Sequence, residues 1–145
     1  LSLHDALPIL RYRDYTIRQL CQEMHDLYVS FNVKDLQKAM FRQESLPAVV
    51  MNPQDANQEY VRGNVELVRI RDAEGRIAAE GALPYPPGVL CVVPGEVWGG
   101  AVQRYFLALE EGINMLPGFS PELQGVYSEK DADGIKRLYG YVLNV

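Results

Sequence analysis

Four prolines in a short central segment constrain the fold of this chain more than any other feature. Pro84, Pro86 and Pro87 belong to the sequence Leu-Pro-Tyr-Pro-Pro-Gly of residues 83–88, and Pro94 follows shortly after it. Proline fixes φ, lacks an N–H donor and pushes the preceding residue into extended backbone. No helix can run through this segment, so we expect an extended, stiff loop that divides the chain into two parts.

Before this loop, the apolar residues repeat with the period of an α-helix. Over residues 16–31 they recur every three or four positions, which gives one apolar stripe. Thr16 and Gln19 fit a capping box, in which both side chains accept hydrogen bonds from N–H groups at the start of the helix. The sequence therefore predicts an amphipathic helix that begins after Thr16.

Two shorter helices are predicted to follow. One covers residues 33–41, with Asn32 as its cap, since asparagine favours the N-cap position. The other begins at Asn52-Pro53, because proline suits the first helical position, and it should end at Gly63. All three predicted helices precede the proline-rich loop.

The period then changes to one that favours strands. Residues 65–70 are rich in β-branched side chains, residues 71–75 are polar and end in glycine, and residues 77–79 are apolar. This pattern predicts a β-hairpin with a loop of about five residues. Residues 89–93 form a fully apolar run, which predicts a further short strand.

The strongest helical pattern lies in the last third of the chain. Apolar residues from Val97 to Leu109 form a wide face, so we expect one long amphipathic helix that ends at Gly112. Residues 114–125 contain two prolines and predict a loop, and residues 135–143 predict a final strand. Helices first, then strands around one long helix, indicate a single compact α+β domain.

The bulk composition excludes several classes of function. Lys and Arg number 14 against 19 Asp and Glu, and the net charge of −5 argues against nucleic acid as a partner, since binding a polyanion needs a basic face. No apolar stretch approaches the roughly 20 residues that span a bilayer. Cys21 and Cys91 lie in apolar patterns and predict two buried thiols. With only two histidines, they form no recognisable metal-ligand set.

The first nine residues are expected to differ in origin from the rest. Their sequence, Leu-Ser-Leu-His-Asp-Ala-Leu-Pro-Ile, resembles the translation of a common sequencing-library adapter, and the chain begins with Leu1 rather than Met. We therefore expect residues 1–9 to be a non-native scar and residues 10–145 to form the domain. A genuine N-terminal arm is the alternative. His4 is for this reason no candidate for a functional role.

The residues that could carry chemistry form no self-contained active site. The sequence has no glycine-rich phosphate loop and no nucleophile elbow. All four lysines lie in polar contexts, whereas a Schiff-base lysine needs a desolvated pocket. Glu110 and Glu111 are expected at a solvated end of the long helix. Glu96 has two interpretations: it complements the dipole at the start of that helix, or it points into a cleft.

A resemblance to a known family rests on the same proline segments. Pro-Tyr-Pro-Pro-Gly at residues 84–88 is followed by five apolar residues and by Pro-Gly-Glu at residues 94–96. These two rigid elements at fixed spacing resemble the signature stretch of the C-terminal domain in the Orn/Lys/Arg decarboxylase family. Residues 52–57, 97–106 and 116–127 resemble the ornithine branch of that family in particular.

The resemblance implies an enzyme most of which lies outside this chain. Family members remove the α-carboxylate of an amino acid with pyridoxal phosphate as electron sink, and the ornithine branch converts L-ornithine to putrescine and carbon dioxide. The lysine that holds the cofactor, with its accompanying aspartate and histidine, belongs to an upstream domain. We therefore expect this chain to hold no catalytic, cofactor-binding or metal-binding residue and to be inactive by itself.

The resemblance also implies where the domain works and what it meets. Its expected partners are the rest of the decarboxylase, the homo-oligomer of that enzyme in the cytoplasm, and L-ornithine, but neither nucleic acid nor a membrane. Tyr85 and Glu96 are our candidates for the substrate entrance, because rigid Pro-Gly settings hold them and a carboxylate attracts a cationic substrate. A domain separated from such a core should expose apolar surface, which we expect on the first helix and the Tyr85 loop.

Two alternatives stay open at this point. The parent enzyme could be a lysine or arginine decarboxylase of the same family, which substrate assays would distinguish. The chain could instead be a stand-alone, non-catalytic module that docks on another protein or regulates it.

Overall fold

Helices fill the first part of the chain, and strands surround one long helix in the second. The computed structural model describes Pro8 and residues 10–145; residues 1–7 and 9, including His4, lie outside the described part, so the interpretation of residues 1–9 stays a prediction. The α-helices with described ends are α1 (Ile17–Ser30), α2 (Val33–Ala39), α3 (Pro53–Val61) and α4 (Gly100–Met115). The strands are β1 (Val65–Arg69), β2 (Leu83–Tyr85), β3 (Glu122–Gln124), β4 (Tyr127–Lys130) and β5 (Lys136–Leu143). Short 3₁₀ helices span Gln43–Ser45 and Ile70–Asp72.

The start of α1 forms as the capping box predicts. The Thr16 hydroxyl accepts a hydrogen bond from the Gln19 N–H at 3.3 Å, and the Gln19 side-chain oxygen accepts one from the Thr16 N–H at 2.8 Å. Asn32 occupies the N-cap position of α2 as predicted, but its side chain makes no capping hydrogen bond. A capping side chain reaches the first turn from extended backbone, whereas Asn32 is left-handed at φ 53. α2 also ends at Ala39, earlier than predicted.

α3 confirms both its predicted start and its predicted stop. The Asn52 side chain accepts a hydrogen bond from the Gln54 N–H at 2.8 Å, with Pro53 in the first turn. The helix ends at Val61, and Gly63 follows with φ 81, a left-handed conformation that glycine adopts without strain.

β5 is the central strand of the main sheet, whose order is β1-β5-β4 with both pairs antiparallel. Tyr127 of β4 lies opposite Tyr139, and further along the same edge of β5 Ala78 forms a bridge to Val142. The strand predicted over residues 135–143 is therefore confirmed, and it is paired along both edges.

The hairpin predicted between residues 65–70 and 77–79 is wrong. The first segment is a strand, but it pairs with β5, and residues 77–79 lie along the opposite edge of β5. The cause is the 3₁₀ helix Ile70–Asp72, which carries Ile70 into the core with 0% exposure. The chain therefore crosses to the other edge of β5 instead of returning along β1.

The proline-rich segment contributes a strand that was predicted as loop. β2 pairs antiparallel with β3, and Pro84 lies opposite Leu123 in this two-stranded sheet. Proline is tolerated here because a short edge strand does not need the N–H group that proline lacks. The predicted loop over residues 114–125 likewise contains β3.

The strand predicted over residues 89–93 does not form. Val92 makes a single bridge, to Ala82, and Val89 is 49% exposed. Only Cys91 and Val92 of this run turn into the core. An apolar run without alternation does not specify which of its residues face inward, and here most of the segment stays outside.

α4 differs from its prediction at both ends. Val97 and Trp98 precede the helix in extended backbone, because Val97 bridges Ile77 and the Trp98 N–H donates to the Arg76 carbonyl at 2.9 Å. The helix then continues past Gly112 instead of ending there. A Cβ built at Gly112 would lie only 2.9 Å from the Phe119 ring, so this glycine permits close packing rather than termination.

The main core lies between the three-stranded sheet and α4. Trp98 and Phe106 pack edge to face there, with ring centroids 5.6 Å apart, and both are almost fully buried. Alternation along β5 directs Leu138 and Val142 to this core. A smaller core on the other face comprises Ala56, Ala79, Leu143, Met51, Tyr60, Val65, Ile77 and Tyr141. The α+β class is confirmed, and none of the described helices is long and apolar enough to cross a membrane.

Candidate functional site

The proline tip, which we define as residues 85–90, projects apolar side chains beyond β2. The peptide bonds that precede its two prolines are both cis, and the Gly88 N–H donates to the Pro84 carbonyl at 3.1 Å. The hydrogen bond closes a tight turn, and the candidate entrance residue Tyr85 beside it is 54% exposed. The exposed large apolar side chains at the tip are Tyr85, Val89 and Leu90.

α1 is another of the elements with exposed apolar side chains. Ile17 is 80% exposed and Val29 is 64% exposed, although Leu27 of the same helix is buried. Apolar surface was expected on both the first helix and the Tyr85 loop, and the structure shows it on both.

The second candidate entrance residue, Glu96, lies in a turn and not at the end of a helix. Its carboxylate accepts a hydrogen bond from the Val93 N–H at 2.8 Å, and its own N–H donates to the Val93 carbonyl. Gly95 has φ 88, and a Cβ there would collide with the Met51 carbonyl, so only glycine fits this turn. Glu96 lies before the extended residues that precede α4, so the helix-dipole interpretation is wrong.

Tyr85 and Glu96 lie at opposite ends of one antiparallel pairing. Ala82 bridges Val92 near the tip, and at the far end the Ala78 N–H donates to the Glu96 carbonyl at 2.8 Å. At about 3.3 Å per residue, the path from that end to Tyr85 is roughly 20 Å of backbone. No hydrogen bond joins the two side chains in the described part of the chain, and their role at an entrance stays a prediction.

A tyrosine–carboxylate cluster, which we define as Tyr60, Glu80, Tyr127 and Tyr141, was not predicted from the sequence. The Tyr141 ring packs edge to face on Tyr60 and on Tyr127, each at a centroid distance of 5.6 Å. The Tyr127 hydroxyl donates to Glu80 Oε2 at 2.8 Å. Because the four residues come from separate elements, alternation of tyrosines along β5 was the only signal of the cluster in the sequence.

The cluster changes the acidity of two hydroxyl groups, those of Tyr127 and Tyr60. Burial raises the pKa of Tyr127 to about 12, and the hydrogen bond to Glu80 and the charge of Glu80 act in the same direction. Burial, and then the charge of Glu80, also raise the pKa of Tyr60. The Glu80 carboxylate thus acts on two tyrosine hydroxyls at once.

Glu110 is buried, which contradicts the solvated position expected for it. Only 2% of the residue is exposed, and its carboxylate accepts a hydrogen bond from the Leu138 N–H at 2.6 Å. The Arg137 guanidinium lies 3.5 Å from the other oxygen and is itself bound by Asp131 at 3.0 Å. These contacts give Glu110 a structural role between α4 and β5.

The two thiols differ, although both were expected to be buried. Cys21 is exposed, so that prediction is wrong for it. Cys91 is buried, and burial raises the pKa of its thiol to about 11. No group of three or more His, Cys, Asp or Glu that could hold a metal ion occurs among the residues the structure describes.

Comparison with known proteins identifies a family. A family model described as the C-terminal domain of Orn/Lys/Arg decarboxylases matches residues 34–144. The constitutive ornithine decarboxylase of Escherichia coli K12 is 85% identical over 142 residues, which cover 98% of this chain and 20% of that protein. The ornithine decarboxylase of Haemophilus influenzae is 70% identical over 133 residues, which cover 92% of this chain and 18% of that protein.

Solved structures share the fold. The crystal structure of the Francisella novicida lysine decarboxylase matches 95% of this chain and 19% of its own, with a TM-score of 0.79 and 29% identity. The Escherichia coli constitutive lysine decarboxylase matches 91% of this chain and 18% of its own, with a TM-score of 0.75 and 32% identity. The chain spans about one fifth of the length of the curated relatives it matches. It belongs to the family of Orn/Lys/Arg decarboxylase C-terminal domains.

Proposed function

We propose that this chain is the C-terminal domain of a pyridoxal-phosphate-dependent ornithine decarboxylase that converts L-ornithine to putrescine and carbon dioxide. A difference in sequence identity carries the proposal. The chain is 70% to 85% identical to the ornithine decarboxylases of Escherichia coli and Haemophilus influenzae. It is only 32% to 38% identical to the lysine decarboxylases of Hafnia alvei and Escherichia coli.

The cofactor of the proposed enzyme is held outside this chain. A Schiff-base lysine needs a desolvated pocket that keeps its amine neutral. The described residues do not fit that requirement, because three of the four lysines are exposed and the fourth is only half-buried: Lys34, Lys38, Lys130 and Lys136. By this proposal the chain packs on the rest of the enzyme and forms part of its surface, and no chemical step is assigned to its residues.

The partners of the domain follow from the same proposal. They are the remaining four fifths of the decarboxylase, further copies of that enzyme in a cytoplasmic homo-oligomer, and L-ornithine. Two observations support an intramolecular partner: the chain covers about 20% of its relatives, and apolar side chains are exposed on α1 and on the proline tip. Val89→Ser in the complete enzyme replaces an exposed apolar side chain of the tip with a polar one. This change should lower the temperature at which the C-terminal domain separates from the rest of the enzyme.

Substrate specificity tests the proposal directly. The complete protein should decarboxylate L-ornithine with a kcat/KM roughly 10- to 200-fold above that for L-lysine, because one additional methylene is worth about that much discrimination, and it should also prefer L-ornithine to L-arginine. A preference for lysine or arginine would assign the chain to another branch of the family. A complete reading frame without a cofactor-binding lysine would favour a stand-alone docking module.

The entrance role of Tyr85 and Glu96 is a separate part of the proposal. Glu96→Gln in the complete enzyme keeps an oxygen for the Val93 N–H and removes the charge. At low salt, kcat/KM for the cationic substrate should fall by about threefold, the effect of one screened surface charge. Glu66→Gln, a change at an exposed carboxylate paired with Arg76, is the matched control. Equal kinetics for both variants would remove Glu96 from the entrance.

A further inference from the structure

The tyrosine–carboxylate cluster occupies the face of the sheet opposite α4. α3 supplies Tyr60, β4 supplies Tyr127 and β5 supplies Tyr141, while Glu80 follows the segment that bridges β5. Tyr141 belongs to the smaller core on this face, to which α3 contributes Ala56 and Tyr60. Tyr127 is 39% exposed, so solvent reaches the cluster from one side.

Glu80 is a half-buried carboxylate that has no cationic partner among the described residues. Its Oε2 accepts the hydrogen bond from Tyr127, and none of the ion pairs among the described residues involves Glu80. Carboxylates removed from water are normally paired with a cation, because the charge loses hydration that a neutral donor replaces only in part. Glu110, the other carboxylate packed against β5, has such a partner in Arg137.

The groups around Glu80 match the requirements of an ammonium ion. An alkylammonium group has three N–H donors and no acceptor. The Tyr127 hydroxyl lies 2.8 Å from Glu80 Oε2, and the rings of Tyr60 and Tyr127 both pack on Tyr141, which brings the oxygens of these residues to one part of the sheet as acceptors. Tyrosine rings add attraction, because their faces carry partial negative charge that favours a cation within about 6 Å.

We propose that the tyrosine–carboxylate cluster binds a primary alkylammonium group, with the nitrogen against Glu80 and the alkyl chain along the tyrosine rings. The ammonium comes from a free amine or from a lysine side chain of the remaining polypeptide of the parent protein. The site itself uses only contacts within this chain, and only the assignment of the ammonium to the remaining polypeptide rests on the proposed function.

Titration with butylammonium chloride tests the site on the 145-residue chain. The ring proton signals of Tyr127 and Tyr141 should shift saturably in nuclear magnetic resonance spectra, and the shift should weaken as salt rises. Butanol and butyrate have the same chain without the positive charge, and they should leave these signals unchanged. No saturable shift with butylammonium, or equal shifts with butanol, would overturn the proposal.

Two variants distinguish an effect on butylammonium binding from an effect on folding. Glu80→Gln should weaken butylammonium binding by roughly 10-fold, the usual size of a charged hydrogen bond, whereas Glu66→Gln should leave it unchanged. Tyr127→Phe should weaken it by about threefold while the far-ultraviolet circular dichroism stays that of the wild type. Equal affinity for wild type and Glu80→Gln would contradict the site, whatever its effect on stability.

The source of the ammonium is decided by repeating the titration on the complete protein. Saturable shifts in both proteins indicate a free amine as the natural ligand. Shifts in the isolated chain alone indicate that a lysine of the remaining polypeptide already occupies the site. Either outcome supports the ammonium site, and the absence of a response in the isolated chain contradicts it.

Discussion

Glu110 shows how a residue can be misjudged when its partners lie far along the chain. Two consecutive glutamates toward the end of an amphipathic helix favour a solvated position by pattern alone. The structure instead buries Glu110 against the Leu138 N–H and Arg137, which lie 28 and 27 residues later. No local signal announces a partner at that separation, so burial of this carboxylate could not be predicted from the sequence.

Removal of the Glu110 carboxylate should destabilise the fold markedly. In Glu110→Ala the Leu138 N–H loses its acceptor and Arg137 loses a buried counter-charge, so the free energy of unfolding should fall by about 2–4 kcal/mol. Glu111→Ala is the matched control, because Glu111 makes no side-chain hydrogen bond or ion pair within the described residues. Urea unfolding measures both, and equal losses would contradict the structural role of Glu110.

Cys91 and Cys21 should differ sharply in reactivity. The thiolate is the reactive form, and a pKa of about 11 leaves very little thiolate at Cys91 near pH 8. Iodoacetamide at pH 8 should therefore modify Cys21, which is exposed, and leave Cys91 unmodified until denaturant is added. Peptide mass spectrometry gives the sites and their rates. Comparable rates at both cysteines in the native protein would show that Cys91 is accessible and ionised.

At the scale of elements, local signals predicted the start of α1 and both ends of α3, but not the end of α2 or either end of α4. The Thr16–Gln19 capping box, the Asn52-Pro53 start and the Gly63 stop all depend on contacts within a few residues, which a sequence pattern contains. Strand pairing depends on distant contacts instead. β1 pairs with β5, and the partners are 70 to 78 residues apart, from Arg69↔Tyr139 to Val65↔Leu143, so a hairpin with the nearest apolar segment was the natural and incorrect expectation.

At position 112 of α4, alanine should stabilise the fold less than the native glycine does. Inside a helix alanine is normally favoured by about 1 kcal/mol, but here a Cβ would lie 2.9 Å from the Phe119 ring. Gly112→Ala should lower the free energy of unfolding by about 1–2 kcal/mol through overpacking. Combined with Phe119→Ala, the same change should become neutral or stabilising relative to Phe119→Ala alone. A stabilising Gly112→Ala in the wild-type background would show that Phe119 does not pack against the helix.

At the scale of the whole molecule, fold class and family were predictable, and the local arrangement of functional side chains was not. The α+β class follows from the order of helical and strand periods, and the proline segments around residues 84–88 and 94–96 carried the resemblance that the family match confirms. The tyrosine–carboxylate cluster could not be predicted, because it forms only when α3, β4 and β5 meet. The same limit applies to Tyr85 and Glu96, which the fold places at opposite ends of one pairing.

A chimera tests most directly whether this chain is the C-terminal domain of an ornithine decarboxylase. Residues 10–145 of this chain replace the corresponding C-terminal segment of the Escherichia coli constitutive ornithine decarboxylase, which is 85% identical. A matched chimera places the same residues on the Escherichia coli inducible lysine decarboxylase, a 37% identical relative.

We expect kcat/KM of the ornithine chimera to stay within about threefold of the intact enzyme, because the packing surface is retained and the chemistry lies elsewhere. The lysine chimera should assemble poorly or lose activity. An ornithine chimera that folds but has lost its activity, while the lysine chimera keeps it, would contradict the assignment of this chain to an ornithine decarboxylase.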